Sequence, residues 1–504
     1  MAMIIKDNLL KKPFVRIRSA FKAVPRIVNS QDSIEPCDDR GTFEVVSQSD
    51  FIREYYPSGH KIKDELYYPD KIHKVEETGD YWKEQMFRAV FPFQQIITIQ
   101  QLVHLCGNDI HMELTGIHND PEEHALLLQL KKGWLDKNIE IAFYKLAKST
   151  KITGDGALVF YINGGEFGWK SLSYIDGDTL FPYFNPISGK LERFARRYYD
   201  FDEDGKETIC YVEIWDEHNF YRYRQDLTGL RGVVNKTKEW FGLEGYSLIE
   251  AKPHQFPRIP VVYTRDDGGA CWSAVQDPID KYELAVSQLC QNNMAYAFPI
   301  MVLKGEDVDI QGDPYNGVKA ITMGADDDAK YLSHDDSSKS FELQLETLLK
   351  MIFLGSFTVQ PPEVKSGDLP GVAIKLIYSP SLEKAMIDAK EFDGAVDDIT
   401  RLFKYGYGLE MKAATAFSNL DVFSWIEPYV HQNTSELVNN LCMLVNANLL
   451  SRDTGSTLSG YGENNEFDKI MTEWKQQQAA DLLYDLNGAI NTSTNTDGGN
   501  GGNE

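Results

Sequence analysis

Three segments in the second half of the chain repeat apolar residues every three or four positions, which is the period of an amphipathic helix. The first, at about 273–296, would extend on the order of 35 Å at the rise of an α-helix. Its apolar stripe consists of Val275, Ile279, Tyr282, Ala285 and Leu289. A second helix is predicted from near Ser340 to Gly355, and a third from Val372 towards Tyr407, interrupted once at Ser379-Pro380.

Two different connections join these predicted helices. The insertion at 298–338 contains nine acidic residues and three lysines, with turn signals that indicate a small β-containing projection. The connection at 359–371 contains three prolines and two glycines, which exclude a helix. The pattern therefore predicts two helices that flank an acidic projection, followed by a loop and a longer, interrupted helix.

The first half of the chain mixes helical and strand periods, which predicts an α+β region. Asp120-Pro-Glu-Glu123 is a favourable helix start with acids in the first turn, and the helix is expected to continue to Ala147. A largely helical run, broken at Pro92, is predicted for 81–105, whereas 29–80 is predicted to be irregular. Beyond Gly154 the period becomes two, which predicts one antiparallel sheet. Its strands are 157–162, 192–199, 208–215 and 219–224, and a last run at 258–263 closes the region.

Three short segments, in this order along the chain, resemble portal proteins of tailed double-stranded DNA bacteriophages of the siphovirus type. RIPVV at 258–262, followed by DPIDKYE at 277–283, is similar to the part of the family that leads into the stem helix. GVAIKLIYSPSLEKA at 371–385 resembles the loop-to-helix segment, and NANLLSRDT at 446–454 resembles a helical turn of the C-terminal crown. The order of elements extends the resemblance over about residues 80–480.

The resemblance implies an α+β portal fold with an α/β wing, a helical stem, a small β-containing clip, a kinked long helix with a tunnel loop, and a helical crown. The implied segments are 1–80 for an N-terminal basic arm and irregular extension, 81–271 for the wing, 272–297 for the stem helix, 298–339 for the clip, 340–357 for the second stem helix, 358–371 for the tunnel loop, 372–424 for the long kinked helix and wing return, 425–486 for the crown, and 487–504 for a disordered tail.

The resemblance also implies a function without catalysis. The chain would form a ring, a dodecamer in this family, at one capsid vertex of the virion, after assembly in the host cytoplasm. The ring would conduct double-stranded DNA, independently of its sequence, during packaging, retention and ejection. Its expected protein partners are the large subunit of the terminase motor, a head–tail adaptor, and the major capsid or scaffolding protein.

Two sets of residues are the candidate sites. The tunnel loop would contact DNA through Gln360, Pro361, Pro362, Glu363, Val364, Lys365, Ser366 and Gly367. The clip would dock the motor and adaptor through Asp307, Asp309, Asp313, Asp326, Asp327 and Asp328. Lys365 is the one cation of the loop and could meet a phosphate, while Glu363 and Asp368 keep the loop from gripping it. The alternatives are a plain surface connection for the loop and a solvated hairpin for the insertion.

Charge changes this picture in two places. The net charge of −25 excludes a simple basic nucleic-acid binder, whose affinity would come from neutralised phosphates. In a channel an acidic wall would repel phosphates and let DNA slide, although the same acidity could serve only solubility. Residues 1–30 carry seven Lys and Arg against one acid, which predicts a basic arm. That arm would lie on an acidic neighbour, or contact DNA or another virion protein.

No catalytic, metal or cofactor site is predicted. No phosphate-binding GxxxxGK[ST] motif exists, so ATP hydrolysis would belong to a separate motor subunit. The acidic run 200–205 begins like a calcium loop, but Tyr211 stands where a bidentate Glu is required, which favours a hairpin tip. His104, Cys106 and His111 do not have the spacing of a common zinc site. The six cysteines form no CxxC pair and are predicted to be buried thiols, and no apolar run is long enough to span a membrane.

Two other functions compete with a portal. Another virion structural protein, such as a minor head or adaptor protein, is the first, although such proteins are usually shorter. An α+β hydrolase with an acidic cleft is the second. It would need a convergent acid/base pair, and it would be a monomer or dimer with no central hole. The first of these also lacks the order helix, insertion, helix, loop, helix, and the helical stretches predicted at 425–450 and 465–486 would form the crown of a portal.

Overall fold

The computed structural model describes residues 14–17, 43–74, 81–115, 120–201, 207–226, 246–296, 301–304, 309–313, 317–322, 328–331, 338–360, 371–430, 434–459 and 469–478. The chain forms two compact units. One comprises Met1–Pro361 and Pro380–Tyr429, and the other comprises Pro362–Ser379 and Val430–Glu504. The described residues combine helices with antiparallel sheets, which confirms the α+β class.

The helices are α1 (Gln48–Tyr55), α2 (Phe93–Cys106), α3 (Pro121–Asp136), α4 (Ile139–Thr153), α5 (Gln276–Tyr296), α6 (Ser338–Gly355), α7 (Gly371–Ile377), α8 (Ser379–Glu410), α9 (Ala414–Asn419), α10 (Thr434–Asn446), α11 (Arg452–Leu458) and α12 (469–478). The predicted helices at 273–296 and 340–355 are confirmed as α5 and α6. The interrupted third helix is observed as the two helices α7 and α8. The break between them lies at Tyr378, one residue before the predicted Ser379-Pro380. Pro380 is the second residue of α8, where a missing N–H costs no helical hydrogen bond.

The strands of the first unit are β1 (Phe14–Ile17), β2 (Phe43–Val46), β3 (Lys71–Lys74), β4 (Tyr81–Glu84), β5 (His111–Leu114), β6 (Asp155–Asn163), β7 (Glu166–Leu172), β8 (Thr179–Phe184), β9 (Leu191–Phe201), β10 (Glu207–Trp215), β11 (Asn219–Asp226), β12 (Ser247–Pro253), β13 (Val261–Arg265), β14 (Met301–Lys304), β15 (Asp309–Asp313), β16 (Gly317–Thr322), β17 (Asp328–Tyr331) and β18 (Val422–Trp425). All pairings among them are antiparallel, as predicted for the region beyond Gly154.

The prediction of one sheet in this region is wrong, because the strands form two sheets. The larger has the order β12-β11-β10-β9-β8, and the smaller has the order β13-β6-β7. Strands β7, β8 and β12 were not predicted from the sequence. β7 follows β6 through Gly164 and Gly165, which both have positive φ and allow the tight hairpin turn. The last predicted strand begins at Val261 rather than Arg258.

The prediction of one helix from Asp120 to Ala147 is also wrong. Asp120 does cap the start, since its Oδ1 accepts a hydrogen bond from the backbone N–H of Glu122 at 2.9 Å. The helix then ends at Asp136, and Asn138 adopts a left-handed conformation (φ 54°) before α4 begins. Asn tolerates this conformation better than most residues, so the apolar pattern continues across a break that it does not reveal.

Two predictions for the first hundred residues need correction. The segment 29–80 was predicted to be irregular, but it contains α1, which starts with a capping box between Ser47 and Asp50. The segment 81–105 was predicted to be largely helical, but β4 occupies its start and α2 begins only at Phe93. Residues 85–92 are neither helix nor strand, because their backbone donors bind side chains elsewhere in the unit, as described below.

Two apolar clusters hold the helices of the first unit in place. The larger packs α3, α4 and α8 against the smaller sheet through Trp134, Phe143, Phe160, Phe167 and Phe403. The second joins α1, α2, α5 and α6 through Phe51, Ile97, Trp272, Ile279 and Ile352. Gly355, the predicted end of α6, is required by packing, since a Cβ there would lie 2.7 Å from Val275 Cγ1.

The prediction of a helix at 425–450 is wrong in its first part. Trp425 ends β18, and residues 426–430 are not helical, so α10 starts only at Thr434. At its end, Asn448 adopts a left-handed conformation (φ 59°). The backbone N–H of Leu449 donates to Leu444 O and that of Asn448 donates to Val445 O, which closes the helix as a Schellman motif. Of the predicted helix at 465–486, residues 469–478 are helical. The basic arm outside β1 and the tail at 487–504 lie outside the described residues.

Candidate functional site

The insertion between α5 and α6 contains two antiparallel strand pairs. β14 pairs with β17, with Lys304 opposite Asp328. β15 and β16, which lie between these two strands in the sequence, pair with each other. The backbone places the predicted docking residues Asp309 and Asp313 at the two ends of β15. The prediction of a small β-containing insertion is confirmed, and its docking role stays a prediction. Asp307, Asp326 and Asp327 lie outside the described residues.

A polar stripe along α5 is buried over its first four members and partly exposed at its last, Gln291, although only the apolar stripe was predicted to face the interior. Its members recur every three or four residues and are Gln276, Asp280, Glu283, Ser287 and Gln291. Each binds a group from the N-terminal part of the unit. Asp280 accepts from Lys61 Nζ at 2.7 Å, and Gln276 accepts from Gln94 Nε2 at 3.0 Å. Burial raises the pKa of Asp280, against the effect of the Lys61 ammonium.

The same stripe holds residues 85–92 as an extended strap along α5. The backbone N–H groups of Phe87, Ala89 and Phe91 donate to Gln291 Oε1, Ser287 Oγ and Glu283 Oε1 at 2.9, 2.8 and 2.9 Å. In an extended chain every second N–H points the same way, and on a helix residues four apart lie on one face. Residues 87, 89 and 91 of the strap can therefore bond to residues 291, 287 and 283 of the helix in succession.

Glu283 also accepts a hydrogen bond from His60 Nδ1 at 2.7 Å, and both side chains are 1% exposed. A buried carboxylate needs such donors, because burial without partners would strongly favour its neutral form. The strap and the residues around His60 therefore fix the N-terminal part of the unit to the helix predicted to be the stem.

The predicted tunnel loop lies largely outside the described residues. Of its eight candidate residues the structure describes Gln360, which is exposed, and those at 361–367 lie outside the described ranges. The DNA contact of Lys365 therefore stays a prediction. The residues that lead into the loop, Ser356–Gln360, are described and form a well-defined base.

The base of the loop is a helix end of unusual composition. Phe357, the second residue after α6, adopts a left-handed conformation (φ 54°) at a position that usually holds glycine. The backbone N–H of Thr358 donates to Phe353 O at 3.0 Å and that of Phe357 donates to Leu354 O at 3.2 Å, the two bonds of a Schellman motif. Ser356 and Thr358 are buried and share a hydroxyl contact at 2.6 Å, whereas Phe357 is 47% exposed. A bulky residue in this conformation is an outlier that tertiary contacts must hold.

A row of charged side chains, alternately acidic and basic, runs across the strands of the larger sheet. This row was not predicted from the sequence. Arg196 Nε donates to Asp178 at 2.6 Å, and Arg196 Nη1 donates to Glu213 at 3.0 Å. Arg222 on the next strand contacts Glu213 at 2.8 Å and Glu250 at 3.7 Å. These groups face one another across neighbouring strands, so their attraction stabilises one register of the sheet over others.

A groove of about 1090 Å³ is the candidate cleft for the competing hydrolase reading. It lies between the turns that follow β8 and β10, residues 258–263, and one side of α8. Its two carboxylates on α8 are both paired with arginines: Asp398 accepts from Arg258 at 2.7 Å, and Asp397 accepts from Arg401 at 3.2 Å. Asp216 accepts hydrogen bonds from the backbone N–H groups of His218 and Asn219. These three carboxylates are thus engaged in ion pairs or in a turn, which is not the arrangement of a catalytic acid/base pair.

The two weak metal motifs have structural partners. His104 Nδ1 donates to Tyr429 O at 2.8 Å, while His111 stacks on Trp425 and pairs with Glu427. Burial raises the pKa of Cys106 to about 12, the opposite of what a thiolate ligand needs. Strands β9 and β10 flank the acidic run 200–205, as the hairpin interpretation predicts. Within the described ranges no three His, Cys, Asp or Glu side chains come together as a metal site would require.

The prediction for the cysteines holds only in part. The five that the structure describes are free thiols, and Cys210 is buried. Cys442 is exposed on α10, and the prediction that it is buried is wrong. Among the described helices, none combines the length and apolar character that a membrane span requires.

Comparison with known proteins bears on the whole arrangement. Residues 43–480 match a family described as phage portal protein, SPP1 Gp6-like. No protein with a curated description matches the sequence. Similar solved structures include a chain from the neck of an empty GTA particle, with a TM-score of 0.39 and 12% identity over 73% of this chain and 90% of that one. Another is a chain from the virion of a native gene transfer agent particle, with a TM-score of 0.36 and 12% identity over 73% and 88%.

The family match rests on sequence and spans most of the chain, from β2 through α12. It includes α5, the strand-containing insertion, α6, the predicted loop, α7 and α8 in the order that the sequence analysis emphasised. The protein is thus a member of the phage portal protein family and a virion component at the portal vertex of a capsid.

Proposed function

We propose that the protein assembles into a dodecameric ring whose central channel conducts double-stranded DNA during packaging, retention and ejection. The observation that carries the proposal is the family match over residues 43–480, which contains the order helix, β insertion, helix, loop, helix. A ring built from identical contacts repeats every segment around the axis, so one short loop per copy can line a channel completely.

The loop at 358–371 is proposed to meet the DNA in this channel. Its sequence supports the role, since Lys365 supplies one cation per copy and Glu363 and Asp368 limit the attraction to phosphates. The net charge of −25 argues in the same direction, because a wall that repels phosphates favours sliding. Contacts with DNA would be weak and independent of sequence, as backbone contacts are.

The insertion between α5 and α6 is proposed to dock the terminase motor and, later, a head–tail adaptor. Its acidic residues would favour basic partner surfaces and speed their encounter. The outer face of the ring would contact the major capsid or scaffolding protein. In this scheme the portal itself catalyses no reaction, and ATP hydrolysis belongs to the motor.

Microscopy of the purified protein, with its mass measured in solution, tests the assembly. We expect rings with a central hole at about twelve times the 57.3 kDa mass of the chain. Protein purified from assembled particles would show rings even if the isolated chain requires other virion proteins to assemble. A compact monomer with a closed cleft, in protein taken from particles, would contradict the proposal.

The variant Lys365→Ala tests the DNA contact. We expect rings to form normally, while packaging efficiency or DNA retention changes, because each ring loses one cation per copy from the channel. The control is Lys390→Ala, which removes a lysine that is 81% exposed on α8 and pairs with Asp393. If both variants package and retain DNA like the unmodified protein, the loop does not make the proposed contact.

A further inference from the structure

The chain passes between its two compact units at three places, after Pro361, after Ser379 and after Tyr429. Residues 362–371 of the predicted tunnel loop lie between the first two of these crossings. Within the first unit, the chain beside each crossing is held by hydrogen bonds. Those at the first and third crossings come from one helix, α2, and the one at the second crossing joins it to the first.

The first crossing is held by two adjacent glutamines of α2. Gln100 Nε2 donates to Val359 O at 2.7 Å, and Gln100 Oε1 accepts from Val359 N at 3.0 Å, so one amide satisfies both backbone groups of that residue. Gln101 Nε2 donates to Ser356 O at 3.0 Å, and Gln101 and Ser356 are both buried. These three bonds fix the backbone on both sides of the left-handed Phe357.

The second crossing is tied to the first. Ser381, in the first turn of α8, donates its hydroxyl to Phe357 O at 3.0 Å. This bond closes the base of the loop, because it joins a residue that precedes the loop to one that follows it. Ser381 is buried, so the bond is shielded from competing water.

The third crossing is held by the last turn of α2. His104 Nδ1 donates to Tyr429 O at 2.8 Å, and Tyr429 N donates to His104 O at 2.7 Å. Asn108, just beyond the helix, donates to Glu427 O at 3.1 Å. His104 thus binds both backbone groups of Tyr429, the last residue before the crossing, through its ring nitrogen and its backbone carbonyl.

Helix α2 is well suited to serve as an anchor. It contains no Asp, Glu, Lys or Arg, and Ile97, Leu102 and Leu105 are buried. Gln94, near its start, binds Gln276 at the start of α5. The helix is therefore fixed by packing on one face while it presents neutral hydrogen-bonding groups to the chain on another.

We infer that α2 is the anchor that sets where the chain leaves and re-enters the first unit, and that Gln100, Gln101 and His104 are positioning residues of the DNA-handling loop. None of the three contacts DNA in this role. They act through the backbone at Ser356–Val359 and Tyr429. The functional part of the inference depends on the proposed function, whereas the structural part does not.

The structural test is amide hydrogen exchange on full-length rings that carry Gln100→Met. Methionine keeps the side-chain length and removes both hydrogen bonds. We expect the Val359 amide and its neighbours at 356–360 to exchange about tenfold faster, since two bonds of ordinary strength are lost. The control Gln95→Met removes a bond of the same kind from the same helix, from Gln95 Nε2 to Tyr55 O at 3.1 Å. Unchanged exchange at 356–360 in Gln100→Met, or the same change in the control, would overturn the inference.

His104→Leu gives a second structural test at another crossing. Exchange should rise at 427–430 and stay unchanged in the sheet β13-β6-β7. If Gln100→Met accelerates exchange while His104→Leu does not, α2 anchors only the first crossing, and the inference of a common anchor fails.

DNA packaging and retention by particles built with Gln100→Met test the functional part. A loop that starts from a loosened base should lower retention severalfold relative to Gln95→Met, with ring number unchanged. Faster exchange with normal packaging and retention would leave the anchor in place and refute the assignment of DNA handling to this loop. Slower packaging without faster exchange would refute the anchor and leave the loop assignment intact.

Discussion

At the scale of single residues, a buried cluster of charged side chains joins α4 to α8. Asp388 is fully buried, and its two oxygens contact Lys151 Nζ and Lys384 Nζ, each at 2.7 Å. Lys151 is itself only 1% exposed. A buried charge is tolerated only with its partner, so this carboxylate fixes the long helix α8 to the core at one position.

Removing one member of the cluster should therefore be costly. We expect Asp388→Ala to lower the stability of the protein by about 3–5 kcal/mol, because Lys151 would stay buried without its counter-charge. The control Asp393→Ala breaks the exposed pair with Lys390 and should cost less than about 1 kcal/mol. Urea unfolding followed by tryptophan fluorescence would measure both changes. Equal effects of the two variants would show that burial does not govern the energetics of this pair.

The sequence could not reveal this cluster. Lys151 follows an apolar stripe, and at that position a lysine is ordinarily a solvated residue at the edge of a helix. Its burial depends on where α8 packs, more than two hundred residues later in the chain. The same limit applies to Phe357, since its left-handed conformation comes from the contacts of Gln100, Gln101 and Ser381 and has no local glycine to signal it.

At the scale of elements, α5 shows why a helix can be located correctly and its environment still be mistaken. The apolar stripe predicted its bounds well, because the period of a buried face is a local property of the sequence. The polar stripe of Gln276, Asp280, Glu283, Ser287 and Gln291 would ordinarily be assigned to solvent. Its first four members are buried because the N-terminal part of the unit supplies donors to them. Gln94 and Lys61 donate to Gln276 and Asp280. The strap at 85–92, which has no period of its own, donates to Glu283 and Ser287.

A single hydroxyl of this stripe is a sensitive test of the strap. Ser287 is fully buried, and in Ser287→Ala the backbone N–H of Ala89 would lose its acceptor. We expect a loss of about 1–3 kcal/mol, the cost of a buried donor without a partner.

The matched control is Ser340→Ala on the exposed side of α6, which should change stability by less than about 0.5 kcal/mol. Hydrogen exchange of the Ala89 amide would locate the effect. Stability and exchange that match the control would mean that the strap is held by its side chains and not by the helix.

At the scale of the whole molecule, family membership was accessible from the sequence because it depends on the order of elements. Helix, β insertion, helix, loop and helix follow one another within about 140 residues, and each leaves a local pattern. The packing of the first unit was less accessible, because two sheets were mistaken for one, α1 was missed, and α2 was predicted to begin too early. The strap and β12 are defined by distant partners and not by their own periodicity, whereas α1 carries local signals, an amphipathic pattern and the Ser47–Asp50 capping box, that were overlooked.

The strap also has a consequence for how this protein can change during evolution. Every residue except proline offers a backbone N–H, so residues 87 and 89 can be replaced by many side chains without loss of their bonds to α5, whereas Phe91 also packs against Tyr282. The acceptors on α5 are side chains and have no such freedom. Among relatives we therefore expect residues 87 and 89 to vary widely, residue 91 to stay apolar, and all three to avoid proline, while the helix retains an acceptor at 283, 287 and 291.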